Sequence, residues 1–267
     1  MKKDAWCWPG IFSPPAAEFL QAVEYVSGWR LFMATVAGSL LVLIMGQTAQ
    51  SSSVGYCYGV IGFSVISWPF VPRIIERVRW TEGTIFQAVL VLIASMVLGD
   101  AAQRILGFNP QASGLKHMNW TIAVHLLWQF PLVLPVENLL LIGAMGWLWK
   151  FLRPKTPGNR FGVALLSAAF FGLWHVPFWG PWTMWTIGLS VLPWTIYMLA
   201  TGDFLVPVIA HVLMDVIAVV LTFSPKDSFI SHYFWPLLAG GLILLGLSYS
   251  LYRDWGVGAK RSPDQSP

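Results

Sequence analysis

Apolar residues fall along this chain in long runs, each about the length a helix needs to cross a ~30 Å hydrocarbon core, and charged residues gather at the joints between them. Eight such runs lie near 31–48, 54–72, 84–102, 120–149, 161–178, 183–200, 203–223 and 230–251. The fourth is too long for one straight crossing and holds Pro131 and Pro135, so a break or kink is predicted there, just before Glu137. Ahead of the first run, Pro14 and Pro15 lead into AAEFLQAVEYVSGW, which puts Phe19, Leu20, Val23 and Val26 on one face of a helix. That pattern predicts a helix lying in the membrane interface. Residues 256–267 are polar and predict a disordered tail. The fold class expected is therefore all-α integral membrane: a polytopic bundle of about eight transmembrane helices with an N-terminal interfacial helix, forming one domain over residues 1–255.

Composition strengthens this reading. Of the 267 residues 56% are hydrophobic and only 10% charged, with a mean hydropathy of +0.64, whereas soluble domains carry about a quarter charged residues. The net charge of +4 would suit nucleic acid if the basic residues were clustered on a polar surface, but they follow the joints instead. With the N-terminus placed in the cytoplasm, Lys2, Lys3, Arg30, Arg73, Arg77, Arg79, Lys150, Arg153, Lys155, Arg160, Arg253, Lys260 and Arg261 fall inside. Only Arg104, Lys116 and Lys226 fall outside. Cytoplasmic loops accumulate Lys and Arg, so both termini are expected in the cytoplasm, and no nucleic-acid partner is needed to explain the charge. Cys7 and Cys57 form no CxxC or Cys/His pattern and predict neither a disulfide framework nor a thiolate metal site.

Ionisable groups inside spans are costly and mark pathways or sites. Here they are Glu137, His125, His175, His211 and Asp215. His211 and Asp215 are four apart, on one helical face. At ~1.5 Å per residue, Glu137 lies about 20 Å from Lys150, His175 about 22 Å from Arg160 and Asp215 about 18 Å from Asp203, with His211 one turn shallower. Groups on three helices thus share a layer near mid-membrane, as a single polar cavity requires. A carboxylate beside two imidazoles can activate a water and stabilise an oxyanion. His125 is read as a packing residue, and His232, at a loop edge, as without function.

Three motifs in order now carry a resemblance: Glu137 followed by Gly143 in PVENLLLIG, Phe171 to His175 in an FxxxH pattern, and TGDFLVPVIAHVLMD over residues 201–215. Together they resemble the CPBP family, the CAAX-prenyl-protease and bacteriocin-processing intramembrane endopeptidases, whose best-known branch is the type II CAAX prenyl endopeptidase, the Ras-converting enzyme. The resemblance spans about residues 120–223. It implies a glutamate-dependent endopeptidase with no metal and no other cofactor, in which Glu137 is the general base, His175 shares its water, His211 stabilises the oxyanion and Asp215 completes the motif. Asn138 and Phe171, beside these positions, are assigned to substrate contact. The family pattern EExxxR is altered here: Asn138 stands for the second Glu and Ile142 for the Arg. Losing both leaves no stranded charge. Asp215, as an anion, cannot donate to an oxyanion and is expected to accept a hydrogen bond from His211, favouring imidazolium.

The expected function is hydrolysis of a peptide bond in a membrane-associated, lipidated or sorting-signal substrate, by a protein of the bacterial inner membrane whose partners are lipids and that substrate. Three other readings stand beside it. Glu137, His175 and His211 also form a two-His, one-carboxylate set known for zinc. Asn138 and Ile142 would suit a non-catalytic immunity or scaffold protein. Buried Glu and His also make proton relays in transporters.

Overall fold

A computed structural model describes residues 17–78, 80–111 and 119–223. The expected eighth span, the tail at 256–267, Cys7, His232 and the basic residues Lys2, Lys3, Arg79, Lys116, Lys226, Arg253, Lys260 and Arg261 lie outside the described residues. Among the described residues all regular structure is helical: α1 Ala17–Glu24, α2 Gly28–Thr48, α3 Ser52–Ser67, α4 Phe70–Ile75, α5 Thr84–Leu106, α6 Trp120–Leu152, α7 Pro157–Trp174, α8 Val176–Trp179, α9 Thr183–Thr201 and α10 Leu205–Phe223. Helices thus occupy the other seven expected runs. Four of them, α2, α5, α6 and α9, are long and apolar enough to cross a bilayer by length and composition.

Two expected spans are interrupted, each at a proline, because the ring nitrogen has no hydrogen to donate. The run 54–72 ends as a helix at Ser67, ahead of Pro69. Arg30 closes that end, its Nε donating to the Ile66 carbonyl at 3.2 Å and its Nη2 to the Trp68 carbonyl at 3.0 Å, which satisfies oxygens that a helix C-terminus leaves without partners. The run 161–178 breaks at His175, just before Pro177: its N–H turns back to the Gly172 carbonyl, and its own carbonyl starts the short α8. At Pro131 and Pro135, where a break or kink is expected, the helix does not break. Helix α6 runs unbroken for 33 residues through both prolines, about 50 Å at the usual rise.

Helix α6 is the axis of the fold. Leu134, Leu140, Leu141, Ile142 and Met145 on it are buried, and α2, α3, α7 and α10 pack around it. Two close approaches position the site. Helices α2 and α3 touch through Gly55 and Gly59, where an added Cβ would lie 2.4 Å from the Val42 carbonyl oxygen and 2.4 Å from Val42 Cγ2. Helices α7 and α9 touch at Gly172, where a Cβ would lie 2.5 Å from the Met184 carbonyl oxygen. Large apolar residues such as Ile105, Trp128 and Val65 face outward, the inside-out arrangement that lipid permits.

Helix α1 is present, but its apolar face is turned onto the protein. Phe19, Val23 and Val26 are buried; Phe19 meets Trp149 edge-on at 6.0 Å, and Lys150 Nζ donates to the Glu24 carbonyl.

Candidate active site

Each polar side chain of the predicted layer is presented by a different local device. Glu137 and Asn138 occupy the turn of α6 that follows Pro135, both buried. His175 sits at the junction of α7 and α8, closing the first and opening the second. His211 and Asp215 project from α10, whose start is fixed by Gly202 in the left-handed conformation and by Asp203. The Asp203 carboxylate accepts from the N–H groups of Leu205 at 2.8 Å and Val206 at 3.3 Å, the side-chain cap a helix N-terminus calls for. Burial pushes this carboxyl above its ordinary range, and the two backbone donors work against that shift.

The structure brings Glu137, His175, His211 and Asp215 together. Glu137 Oε2 lies 4.0 Å from His175 Nε2 and 3.6 Å from His211 Nε2, close but longer than direct hydrogen bonds. Its other oxygen, Oε1, accepts from the Tyr56 hydroxyl, and the Trp174 indole sits beside that hydroxyl. Tyr56 was not among the sequence candidates. The signal for it is slight: a large aromatic between the glycines of GYCYG, on the α3 face that Gly55 and Gly59 press against α2.

Hydrogen bonds on the far side of each imidazole fix which nitrogen carries the proton. A carbonyl oxygen only accepts, so the 2.8 Å contact of His175 Nδ1 with the Phe171 carbonyl makes Nδ1 the donor and leaves the Nε2 lone pair of the neutral ring facing Glu137. His211 has the opposite arrangement. Asn138 Nδ2 donates one hydrogen to the Leu134 carbonyl at 2.9 Å and lies 2.9 Å from His211 Nδ1. The Leu134 bond identifies the amide nitrogen, so Nδ1 of His211 must accept and Nε2 carries the N–H. One imidazole therefore offers an acceptor to the centre of the site and the other a donor.

Three expectations change as a result. The imidazolium expected for His211 does not fit, because a cation has no lone pair at Nδ1 for Asn138. The expected hydrogen bond from His211 to Asp215 is not formed, since Nε2 and Oδ2 are 3.8 Å apart. Asn138, assigned to substrate contact, is 1% exposed and spends both amide hydrogens on Leu134 and His211.

A cavity of about 730 Å³ reaches this centre. His175, His211, Asp215 and Phe171 line it, with Thr186 and Met214. Phe171 packs on the His175 ring at 4.8 Å and meets His211 edge-on at 5.9 Å, while Trp194 covers His211 at 4.5 Å. His125 is exposed on α6, away from these groups.

The zinc reading fits poorly. Among the described residues no three His, Cys, Asp or Glu side chains are arranged to hold a metal ion. The reason lies in the donor set: His211 uses its one lone pair on Asn138 and faces Glu137 with an N–H, which cannot ligate.

A family model described as Type II CAAX prenyl endopeptidase Rce1-like matches residues 70–217, which include all four residues of the centre. No curated protein and no solved structure matches the chain.

Proposed function

This chain belongs to the type II CAAX prenyl endopeptidase Rce1-like family, a family of membrane proteases, and from that premise we propose that it hydrolyses a peptide bond with water activated by Glu137. The observation that carries this reading is the opposed tautomers of His175 and His211 about Glu137 Oε2. A water in the centre donates one hydrogen to Oε2 and the other to His175 Nε2, which leaves an oxygen lone pair for the carbonyl carbon. Tyr56, holding Oε1, keeps the carboxylate from rotating away.

As the C–O bond forms, Glu137 takes the water proton and the carbonyl electrons move onto oxygen. The N–H at His211 Nε2 is the donor available to that oxyanion. When the tetrahedral adduct collapses, the proton held by Glu137 passes to the departing amine nitrogen. No charged donor is needed at His211, so the site works without the imidazolium the sequence suggested. Asp215, part-exposed in the cavity wall, is placed to meet the substrate flank. Phe171 contributes the apolar wall between the two rings.

The substrate is a membrane-associated peptide, lipidated or carrying a sorting signal, and the protein is placed in a bacterial inner membrane with cytoplasmic termini. The test is Glu137→Gln in purified protein, assayed for hydrolysis of quenched peptides, some carrying a C-terminal prenyl-cysteine. Loss of cleavage with retained folding supports the assignment; turnover near that of the unaltered protein sinks it.

A further inference from the structure

The basic and neutral ends of the helical bundle differ, and among the described residues the lining of the cavity reaches only one of them. Seven of the eight Lys and Arg side chains among the described residues lie at one end. Side-chain contacts gather several of them there. Arg73 lies over the Tyr25 ring at 4.6 Å, Arg77 donates to Gln21, Lys150 donates to the Glu24 carbonyl and Arg30 closes the end of α3. Arg153 and Lys155 belong to the adjoining α6–α7 connection, and Arg160 to the first turn of α7.

The eighth, Arg104, lies at the other end, paired with Asp100 at 2.6 Å. There Phe108, after α5, meets Trp182, before α9. The cavity runs to this end. Its wall passes from His211 and Met214 through Thr186 to Gln103, Asn109 and Gln111. These outer residues follow from the C-terminal third of α5 and the segment after it. None of the seven basic residues lines it.

The rim mixes polar Gln103, Asn109 and Gln111 with apolar Ile122 and Trp179, and its one charge, Asp100, is already paired by Arg104. Thr186, on the path inward, is 4% exposed. Helix ends rich in Lys and Arg stay in the cytoplasm.

We propose that the active-site cavity opens on the extracytoplasmic side, and that the substrate is a membrane-associated peptide segment presented from that side, not a chain end in the cytoplasm. The inference rests on the cavity being the protease site, but its test does not need turnover. In a Cys7→Ser, Cys57→Ser background, Met214→Cys reports the cavity, Gln103→Cys the rim and Lys155→Cys the basic end. Right-side-out and inside-out membrane vesicles are treated with a small charged methanethiosulfonate that does not cross bilayers.

Modification of Met214→Cys and Gln103→Cys in right-side-out vesicles, with Lys155→Cys modified in inside-out vesicles, is the expected result. Modification of Met214→Cys from the Lys155 side, or at either face only after detergent, overturns the proposal. So does a shared sidedness for Gln103→Cys and Lys155→Cys. Ile187→Cys, on α9, gives the same cavity readout should Met214→Cys fail to fold. Because labelling reads geometry alone, an inactive chain with the expected labelling would count against the protease reading while leaving the orientation standing.

Discussion

Asn138 holds His211 by its Nδ1 atom at 2.9 Å, and the Leu134 carbonyl leaves the amide no freedom to turn over. The position that carries an acid in the family pattern therefore carries, in this chain, the residue that sets a tautomer. Asn138→Leu removes that control and should lower kcat by about 10²-fold, the usual loss of an oxyanion donor, with KM little changed. Asn138→Asp offers Nδ1 an acceptor in place of a donor and should draw the ring proton to Nδ1, which ¹⁵N chemical shifts of His211 report directly.

Removing the proposed general base, Glu137, should be the most severe change to the chemistry. Glu137→Gln keeps the volume and can still accept at one atom, so folding should persist while hydrolysis falls by about 10⁴-fold, the upper range for a positioned proton acceptor. Paired measurement of turnover and of thermal unfolding in detergent separates the two effects.

Tyr56 acts through Glu137 and touches no cavity atom. Tyr56→Phe keeps the ring between α3 and α6 and deletes the donor, at a stability cost of about 1 kcal/mol for one hydrogen bond. The expected signature is a fall in kcat with KM preserved. An equal change in both would mean the hydroxyl serves substrate binding instead.

Gly172 lets α7 lie against the α9 backbone, one residue from Phe171 and three from His175. Gly172→Ala forces those helices apart and should cost about 1–3 kcal/mol, the range for overpacking a filled core. Activity should fall further than stability explains, because the His175 ring moves with the end of α7.

Asp203 caps α10 from outside the membrane-spanning segments. Asp203→Ala should destabilise by about 1 kcal/mol, whereas Asp203→Asn retains a capping oxygen. Burial raises this carboxyl, so the native chain keeps its proton to a higher pH than the unfolded chain does. The stability it contributes falls as pH rises from the ordinary carboxylate range through the raised one. Thermal unfolding across mildly acidic pH should show that slope in the unaltered protein and lose it in Asp203→Asn.

How much of this could be read from the chain alone divides along a physical line. Helical rise is the same everywhere, so counting residues was enough to place Glu137, His175 and Asp215 at matching depths with His211 one turn off, and the four do come together. Counting along a helix says nothing of what lies across from it. Tyr56 reaches Glu137 over 81 positions of sequence and only because glycines let α2 and α3 close up. Asn138 looked like a vacancy in a motif because its partner, His211, is 73 positions away. The prolines acted unequally: Pro69 and Pro177 ended helices, while Pro131 and Pro135, both exposed on α6, did not. The apolar face of α1 was legible as a face, but not that it would meet Trp149 and Gly146 of its own chain.

The length of α6 carries a last consequence. At about 50 Å it exceeds the ~30 Å of hydrocarbon it crosses, so it must lean or project, and the angle it takes will differ between thin and thick bilayers. Glu137 stands almost midway along it. A rod rocking about its middle sweeps its tips through wide arcs and leaves its centre nearly still, so the carboxyl keeps its level while the ends absorb changes in membrane thickness.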